Sequence, residues 1–148
     1  MSEGNFWRGN LRGMLSPFGF LQRIESSTAL GIPDLHYVLT LGQRTTSGWI
    51  ELKELSEWPK REKTCVHLPH FTMAQAAWHA EYAGYGGLSF ILMRVAETRA
   101  MYLYPGTFAR KIQAGQTMAW HKAFGREFFG RKDTLGFVKC LVEVQDGT

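Results

Sequence analysis

The chain has 148 residues, of which 45% are hydrophobic and 14% aromatic. This size and composition are typical of one compact domain with an ordinary core, and they exclude a disordered, collagen-like or repetitive protein. There are 17 Lys and Arg residues against 13 Asp and Glu, and the resulting net charge of +4 is compatible with a polyanionic partner.

The first predicted element is a helix that is capped by Ser2 and ended by Pro17. Its apolar residues follow helical spacing: Trp7, Leu11, Met14 and Leu15. Glu3 lies four residues before Trp7, so it belongs to the same inward stripe of the helix. A strand or loop is expected over 19–30.

Two strands are predicted next, over 34–41 and 49–55, with a polar turn over 42–48 between them. Glu51 and Lys53 are two residues apart on the second strand, so their side chains leave the same face of it. Pairing of the strands as a hairpin places the beginning of the first beside the end of the second.

A second helix is predicted after a charged loop over 56–70. Thr72 and Gln75 have the spacing of a capping box at its start, and the glycines from Gly84 onward end it. A buried strand is predicted over 88–95. Because a strand, a helix and a strand follow each other, we expect the strands before and after this helix to be parallel.

The last third of the chain is its more basic end and predicts three further elements. They are a short strand over 101–104, a helix over 119–129 and a strand over 136–144. Aromatic and basic residues interleave over 120–132, which is typical either of a surface that stacks bases and binds phosphates or of an amphipathic helix with a solvated basic face. Together the elements predict a single α/β domain over 1–148, with a mixed sheet of four or five strands.

No apolar stretch approaches the roughly 20 residues that a membrane-spanning helix requires, and the N-terminus carries no signal-type apolar run. We therefore expect a cytoplasmic protein with no membrane partner. The two cysteines, Cys65 and Cys140, are too few for a disulfide framework and are expected to be free thiols.

Asp34, Glu51 and Lys53 form the candidate catalytic constellation. Two carboxylates suit Mg²⁺, which takes oxygen ligands and leaves positions for water and substrate phosphate. An ammonium beside them stabilises negative charge on the attacking hydroxide or the phosphoryl oxygens, and the backbone carbonyl of Leu52 is a further candidate metal ligand. On its own, a Glu-x-Lys tripeptide is more typical of a solvated strand, and Asp34 of a turn after Pro33. Acidic residues are disfavoured within apolar strands, so their position here favours a shared site.

Two other hypotheses concern histidines. One set of side chains suits zinc, although its spacing matches no familiar zinc motif: Cys65, His67, His70 and His79. His36 shares a strand face with Asp34, where it is either an acid, a base or a DNA contact, or an ordinary structural histidine of the strand.

Five segments of the sequence resemble, in their order and spacing, the motifs of a known protein family. They are Arg23-Ile24-Glu25-Ser26, Gly31-Ile32-Pro33-Asp34-Leu35, Trp49-Ile50-Glu51-Leu52-Lys53, Gln75-Ala76-Ala77-Trp78, and Phe90 to Val95. Over roughly 1–105 the sequence resembles the PD-(D/E)XK nuclease superfamily, and within it the VRR-NUC branch and the archaeal Holliday junction resolvases. The resemblance implies a restriction-endonuclease-like αβββαβ core. The loop over 54–70 is longer than is usual in this family, and the extension over 106–148 has no counterpart in it.

The resemblance also implies roles for individual residues. Asp34 and Glu51 would bind the metal, and Lys53 would orient or polarise the attacking water. The family's additional acid maps onto Glu3, with Glu25 as the rival position. Gln75 matches a helical glutamine beside the family's site, where it would orient Lys53 or touch DNA, while completion of the capping box is an equally good explanation and both can hold.

The activity implied is that of a Mg²⁺- or Mn²⁺-dependent endonuclease that cuts DNA, with branched DNA such as Holliday junctions favoured. A homodimer is implied because resolving a junction takes two cuts. The basic extension is expected to serve DNA binding or dimerisation, and the compact size and family branch suggest a phage or mobile element. Two alternatives stay open: a non-catalytic nucleic-acid-binding module, and a restriction- or repair-type nuclease with a sequence- or damage-specific substrate.

Overall fold

The computed structural model describes residues 6–24 and 31–143. The first helix, α1, begins as a π-helical turn at Trp7–Leu11, continues as an α-helix at Arg12–Leu15 and ends in a 3₁₀ turn at Ser16–Phe18. All the apolar residues predicted to face inward from this helix are buried. Its predicted start at Ser2 lies outside the described residues.

The described strands, numbered in chain order, form one large sheet and one small one. Their bounds are β1 (Gly19–Arg23), β2 (Leu35–Leu41), β3 (Arg44–Leu55), β4 (Cys65–Val66), β5 (Ser89–Val95), β6 (Met101–Pro105), β7 (Gln116–Thr117) and β8 (Arg126–Phe128). The large sheet has the order β1-β2-β3-β5-β6-β8, and β4 pairs with β7. In the large sheet β3 and β5 are parallel and the other pairs are antiparallel, which confirms the predicted mixed sheet.

Helices cover both faces of the large sheet. The remaining helices are α2 (Met73–Gly84), α3 (Ala109–Ala114), α4 (Met118–Phe124) and α5 (Thr134–Glu143). Residues of α1 and α5 pack with Ile50 and Leu52 of β3 in one core cluster, while α2 and α3 contribute to a second cluster with Ile91 and Met93 of β5. The predicted α/β class and αβββαβ order are therefore confirmed.

The register of β3 decides where its charged residues point. Ile50 and Leu52 face the cluster built by α1 and α5. Because side chains alternate along a strand, Glu51 and Lys53 point to the opposite face, on the side of α2. The capping box that begins α2 is formed, since Thr72 Oγ1 accepts from the Gln75 N–H at 3.1 Å and Gln75 Oε1 accepts from the Thr72 N–H at 3.0 Å.

Three predictions in the fold are wrong. The segment predicted as a strand over 136–144 is the helix α5. Its buried residues recur at helical spacing: Phe137, Val138, Leu141 and Val142. The helix predicted over 119–129 ends at Phe124, and the chain then forms β8, which gives the large sheet six strands rather than four or five. The turn predicted over 42–48 is confined to 42–43, because β3 already begins at Arg44.

No helix of the described residues is long and apolar enough to cross a bilayer. Cys65 is an exposed free thiol, and Cys140 is a half-buried one.

Candidate active site at the end of β3

The segment that enters β2 is held against α2, and this contact positions Asp34. Gly31 has a φ of 82°, and a Cβ built on it would lie only 2.5 Å from the carbonyl oxygen of Ala74 in α2. Only glycine permits both this backbone conformation and this approach. The Asp34 carbonyl accepts a hydrogen bond from the Ile24 N–H at 2.7 Å, so the backbone of Asp34 is fixed on a second side.

The side chain of Asp34 forms a hydrogen bond with β3 just beyond the last paired residues of β2 and β3. The last residue pair of that ladder is Leu35 with Ile50. Two residues further along β3, the Leu52 N–H donates to Asp34 Oδ2 at 2.8 Å. Since the N–H and C=O of a strand residue point to the same side of the strand, the Leu52 carbonyl leaves β3 on the side of Asp34.

The carboxyl groups of Asp34 and Glu51 lie within hydrogen-bonding reach of each other. The pKa of Asp34 is raised from 3.8 to about 7, chiefly by burial and then by the charge and hydrogen bond of Glu51, against the opposing effects of the Leu52 N–H and Lys53. Two acidic groups this close together in a partly buried space form a place where a cation is favoured.

Glu51 is fully buried and is contacted from two directions. Its Oε2 lies 3.3 Å from Lys53 Nζ, and its Oε1 lies 3.3 Å from Nε2 of the buried His79 on α2. The other ring nitrogen of His79 lies 3.0 Å from Ser89 Oγ, at the start of β5. Burial, the largest cause, lowers the pKa of His79 to about 4. The neutral ring meets both contacts when Nε2–H donates to Glu51 and Nδ1 accepts from the Ser89 hydroxyl.

Lys53 has only 3% of its surface exposed. Its ammonium donates hydrogen bonds to Gln75 Oε1 at 3.0 Å and to the His70 carbonyl at 3.1 Å, and it forms an ion pair with Glu51 Oε2 at 3.3 Å. Two of its three N–H donors are therefore anchored by Gln75 and His70. Gln75 Oε1 thus caps α2 and holds Lys53 at the same time, which are the two contacts that the sequence left as alternatives.

The structure therefore gathers Asp34, Glu51, Leu52, Lys53 and Gln75 into one cluster. The solvated stripe that a Glu-x-Lys strand usually forms is not present here, because Glu51 and Lys53 are buried. Both positions considered for the additional acid, Glu3 and Glu25, lie outside the described residues.

The histidine hypotheses have different outcomes. The residues considered for zinc do not gather, because His79 is buried against Glu51 whereas Cys65, His67 and His70 are exposed. The His36 ring lies between two aromatic rings, with centroid distances of 6.4 Å to Phe20 and 4.7 Å to Trp49.

Sequence reasoning missed the contact between His79 and Glu51. A signal for it exists, since His79 lies four residues after Gln75 and therefore on the same face of α2. The Ser89 contact depends on the packing of β5 against α2, which the sequence spacing does not reveal.

The residues at this site fit a hard divalent cation. Among the residues that the structure describes, no group of three or more His, Cys, Asp and Glu side chains could hold a metal. A Mg²⁺ site does not require three such side chains, because this ion is commonly bound by one or two carboxylates together with water and substrate phosphate. Asp34, Glu51 and the Leu52 carbonyl offer oxygen donors alone, which suits Mg²⁺ or Mn²⁺.

Comparisons with known proteins give one weak structural match to report. No family model and no curated protein sequence matches the chain. Among solved structures, the Holliday junction resolvase Hjc of the archaeon Archaeoglobus fulgidus is 16% identical, with a TM-score of 0.44, and the match covers 78% of this chain and 91% of that one.

Proposed function

We propose that this protein is a metal-dependent nuclease that hydrolyses phosphodiester bonds in DNA. The observation that carries the proposal is the buried cluster at the end of β3, in which two carboxyl groups within hydrogen-bonding reach meet a buried ammonium that is anchored by two hydrogen bonds. The family resemblance of the segments around Asp34, Glu51 and Lys53 supports the same chemistry.

Asp34 and Glu51 hold the divalent cation, Mg²⁺ or Mn²⁺, and the Leu52 carbonyl is a third oxygen donor. When bound, the cation lowers the pKa of a coordinated water and offsets the negative charge of the phosphate. In the reaction a water oxygen forms a bond to phosphorus as the bond from phosphorus to one sugar oxygen breaks. The water loses its proton to solvent, and the departing sugar oxygen takes one up.

Lys53 supplies a fixed positive charge beside the reacting phosphate. Gln75 and the His70 carbonyl anchor two of its donors, while the third points to Glu51 and into the site. This donor is the one placed to orient the water or to stabilise the charge that develops on phosphoryl oxygens. Because the Gln75 side chain and the His70 carbonyl hold the ammonium of Lys53, its position does not depend on the substrate.

His79 is a positioning residue for Glu51. Its contact to Oε1 fixes the plane of the carboxylate, in the way that outer partners commonly orient metal-binding side chains. Glu3 remains the first candidate for the additional acid of the site.

Branched DNA is the proposed substrate, and a homodimer that makes two symmetric cuts is the proposed assembly. A panel of linear, flapped and four-way DNAs with Mg²⁺ tests this, with Lys53→Ala as the inactive variant and Lys60→Ala, an exposed lysine of the loop, as the matched control. We expect paired cuts in the four-way DNA by the wild type and by Lys60→Ala, and none by Lys53→Ala. Equal cutting of all substrates would overturn the branched preference, and tight binding without cutting would favour a non-catalytic module.

A further inference from the structure

A cavity of about 410 Å³ lies on the face of the large sheet opposite the candidate active site. It is lined by Asn10, Arg94, Arg99, Met101, Phe129 and Gly130. These residues come from α1, from the β5–β6 region and from the C-terminal extension, so three distant parts of the chain converge on one space. Two of the lining residues are arginines.

Register places this cavity close to Lys53. Arg94 is paired with Glu54 across the parallel strands, and Glu54 directly follows Lys53. One residue along a strand is a rise of about 3.3 Å and a change of face. The cavity and the candidate active site therefore lie on opposite faces of the sheet, at the same level along β3 and β5.

Arg94 forms a fixed part of the cavity wall. Its side chain is 6% exposed, with Nη1 3.5 Å from Glu54 Oε2 and Cζ 5.5 Å from the centre of the Phe6 ring. These contacts hold the guanidinium group in place and balance part of its charge.

Arg99 supplies an exposed cation at the cavity from a strained backbone. Its φ is 64°, in the left-handed region that disfavours side chains other than Gly, Asn and Asp by about 1–2 kcal/mol. The tight turn is closed by its N–H, which donates to the Val95 carbonyl at 2.8 Å. Glycine or asparagine would make this turn at lower cost, so an arginine here indicates a use for its side chain.

The C-terminal extension adds positive charge at the rim. The guanidinium of Arg131 lies over Gly13 of α1, where a Cβ would come within 2.6 Å of Arg131 Nη2. Lys132 lies over the Phe129 ring at 5.4 Å, and Asp133 accepts a hydrogen bond from the Phe129 N–H. The cations of this region are Arg94, Arg99, Arg131 and Lys132, and they outnumber the acids Glu54, Glu97 and Asp133 by one.

We infer that this cavity is a subsite for a backbone phosphate of the nucleic acid, other than the phosphate that is cleaved. Guanidinium groups bind phosphate oxygens through paired N–H donors, the Asn10 amide adds a donor, and the 42% exposed Phe129 offers an apolar surface to the adjoining sugar or base. The inference rests on the proposed nuclease function, and it gives the extension over 106–148 a part in DNA binding.

The test measures duplex DNA binding by fluorescence anisotropy in EDTA, where cleavage does not interfere, between 50 and 200 mM salt. Arg99→Asn removes the charge but keeps a residue that tolerates the left-handed backbone. Each lost phosphate contact lowers the salt slope by about 0.9, so the loss of affinity across this salt range should shrink by a factor of about 3–4 relative to the wild type. Arg44→Asn, the same change at the first residue of β3 and therefore at the opposite end of that strand from Lys53, should leave the slope unchanged.

Two further experiments distinguish a subsite for a DNA phosphate from a site for free phosphate. Asn10→Asp adds a carboxylate to the α1 wall and should also weaken DNA binding, while thermal melts check that each variant is folded. Inorganic phosphate at constant ionic strength should give little stabilisation in these melts. If phosphate stabilises the wild type but not Arg99→Asn, and the DNA slope is unchanged, the cavity binds free phosphate and the inference is overturned.

Failure of the inference differs from failure of the proposed function. If the wild type cuts DNA but Arg99→Asn binds with an unchanged slope, the phosphate subsite is wrong and the nuclease proposal stands. If the wild type does not cut but the slope falls only in Arg99→Asn, the subsite stands and the nuclease proposal is wrong.

Discussion

Gln75 caps the start of α2 and also holds the ammonium of Lys53, and two substitutions separate these roles. Thr72→Ala breaks the capping box but leaves the Lys53 contact, and should cost about 1 kcal/mol of stability. Gln75→Ala breaks the same box and also removes the acceptor 3.0 Å from the buried ammonium. A hydrogen bond to a charged group contributes about 1.5–3 kcal/mol, so Gln75→Ala should cost roughly 2–4 kcal/mol in total.

The activities of these variants should differ more than their stabilities. Urea denaturation gives the stabilities, and single-turnover cleavage at saturating Mg²⁺ gives the rates. We expect a loss of about tenfold or more for Gln75→Ala, because Lys53 loses one of its anchors, and little change for Thr72→Ala. Gln75→Glu keeps an acceptor for both partners and should restore much of the rate. Equal rate losses in Thr72→Ala and Gln75→Ala would refute the role of Gln75 in holding Lys53.

Three further predictions concern the buried charges. Lys53→Met removes the ammonium that is paired with Glu51 and should destabilise the metal-free protein by about 3–5 kcal/mol. Thermal melts should show that Mn²⁺ restores part of this stability, and an unchanged melting temperature with Mn²⁺ would contradict the prediction. The pKa of Asp34 is raised from 3.8 to about 7, so its contribution to stability is fully present below about pH 4 and is lost as the pH rises from about 4 to 7. Urea melts of the metal-free protein from about pH 5 to 8 should show a loss of up to ~3 kcal/mol that is absent in Asp34→Asn. His79→Phe keeps an aromatic ring but removes the N–H that contacts Glu51. Calorimetry should show Mn²⁺ binding that is weaker by about tenfold or more, and unchanged binding would exclude a positioning role for His79.

The central part of the site was predictable because it depends on local sequence. Alternation along β3 is enough to place Glu51 and Lys53 on one face, and hairpin pairing is enough to bring Asp34 beside them. Burial of these charges was not predictable in the same way, because it depends on the packing of α2 over β3 and on His79, which approaches from that helix.

The C-terminal elements were harder to predict for two physical reasons. The β-branched valines of α5 favoured a strand, although the spacing of Phe137 and Leu141 was helical, and packing on the sheet decided the outcome. β8 has only three residues and pairs with β6 across a long loop, so its sequence carries too little periodicity to reveal it.

The most direct test of the account is cleavage of one end-labelled DNA strand by the wild type and by Asp34→Asn, each with Mg²⁺ and with EDTA. Asp34→Asn keeps the size of the side chain and an acceptor for the Leu52 N–H, but it removes one of the two carboxylates at the site. We expect cutting by the wild type with Mg²⁺ and by neither protein in EDTA, with Asp34→Asn slower by about 10³-fold. Cutting by Asp34→Asn at the wild-type rate, or by the wild type in EDTA, would contradict it.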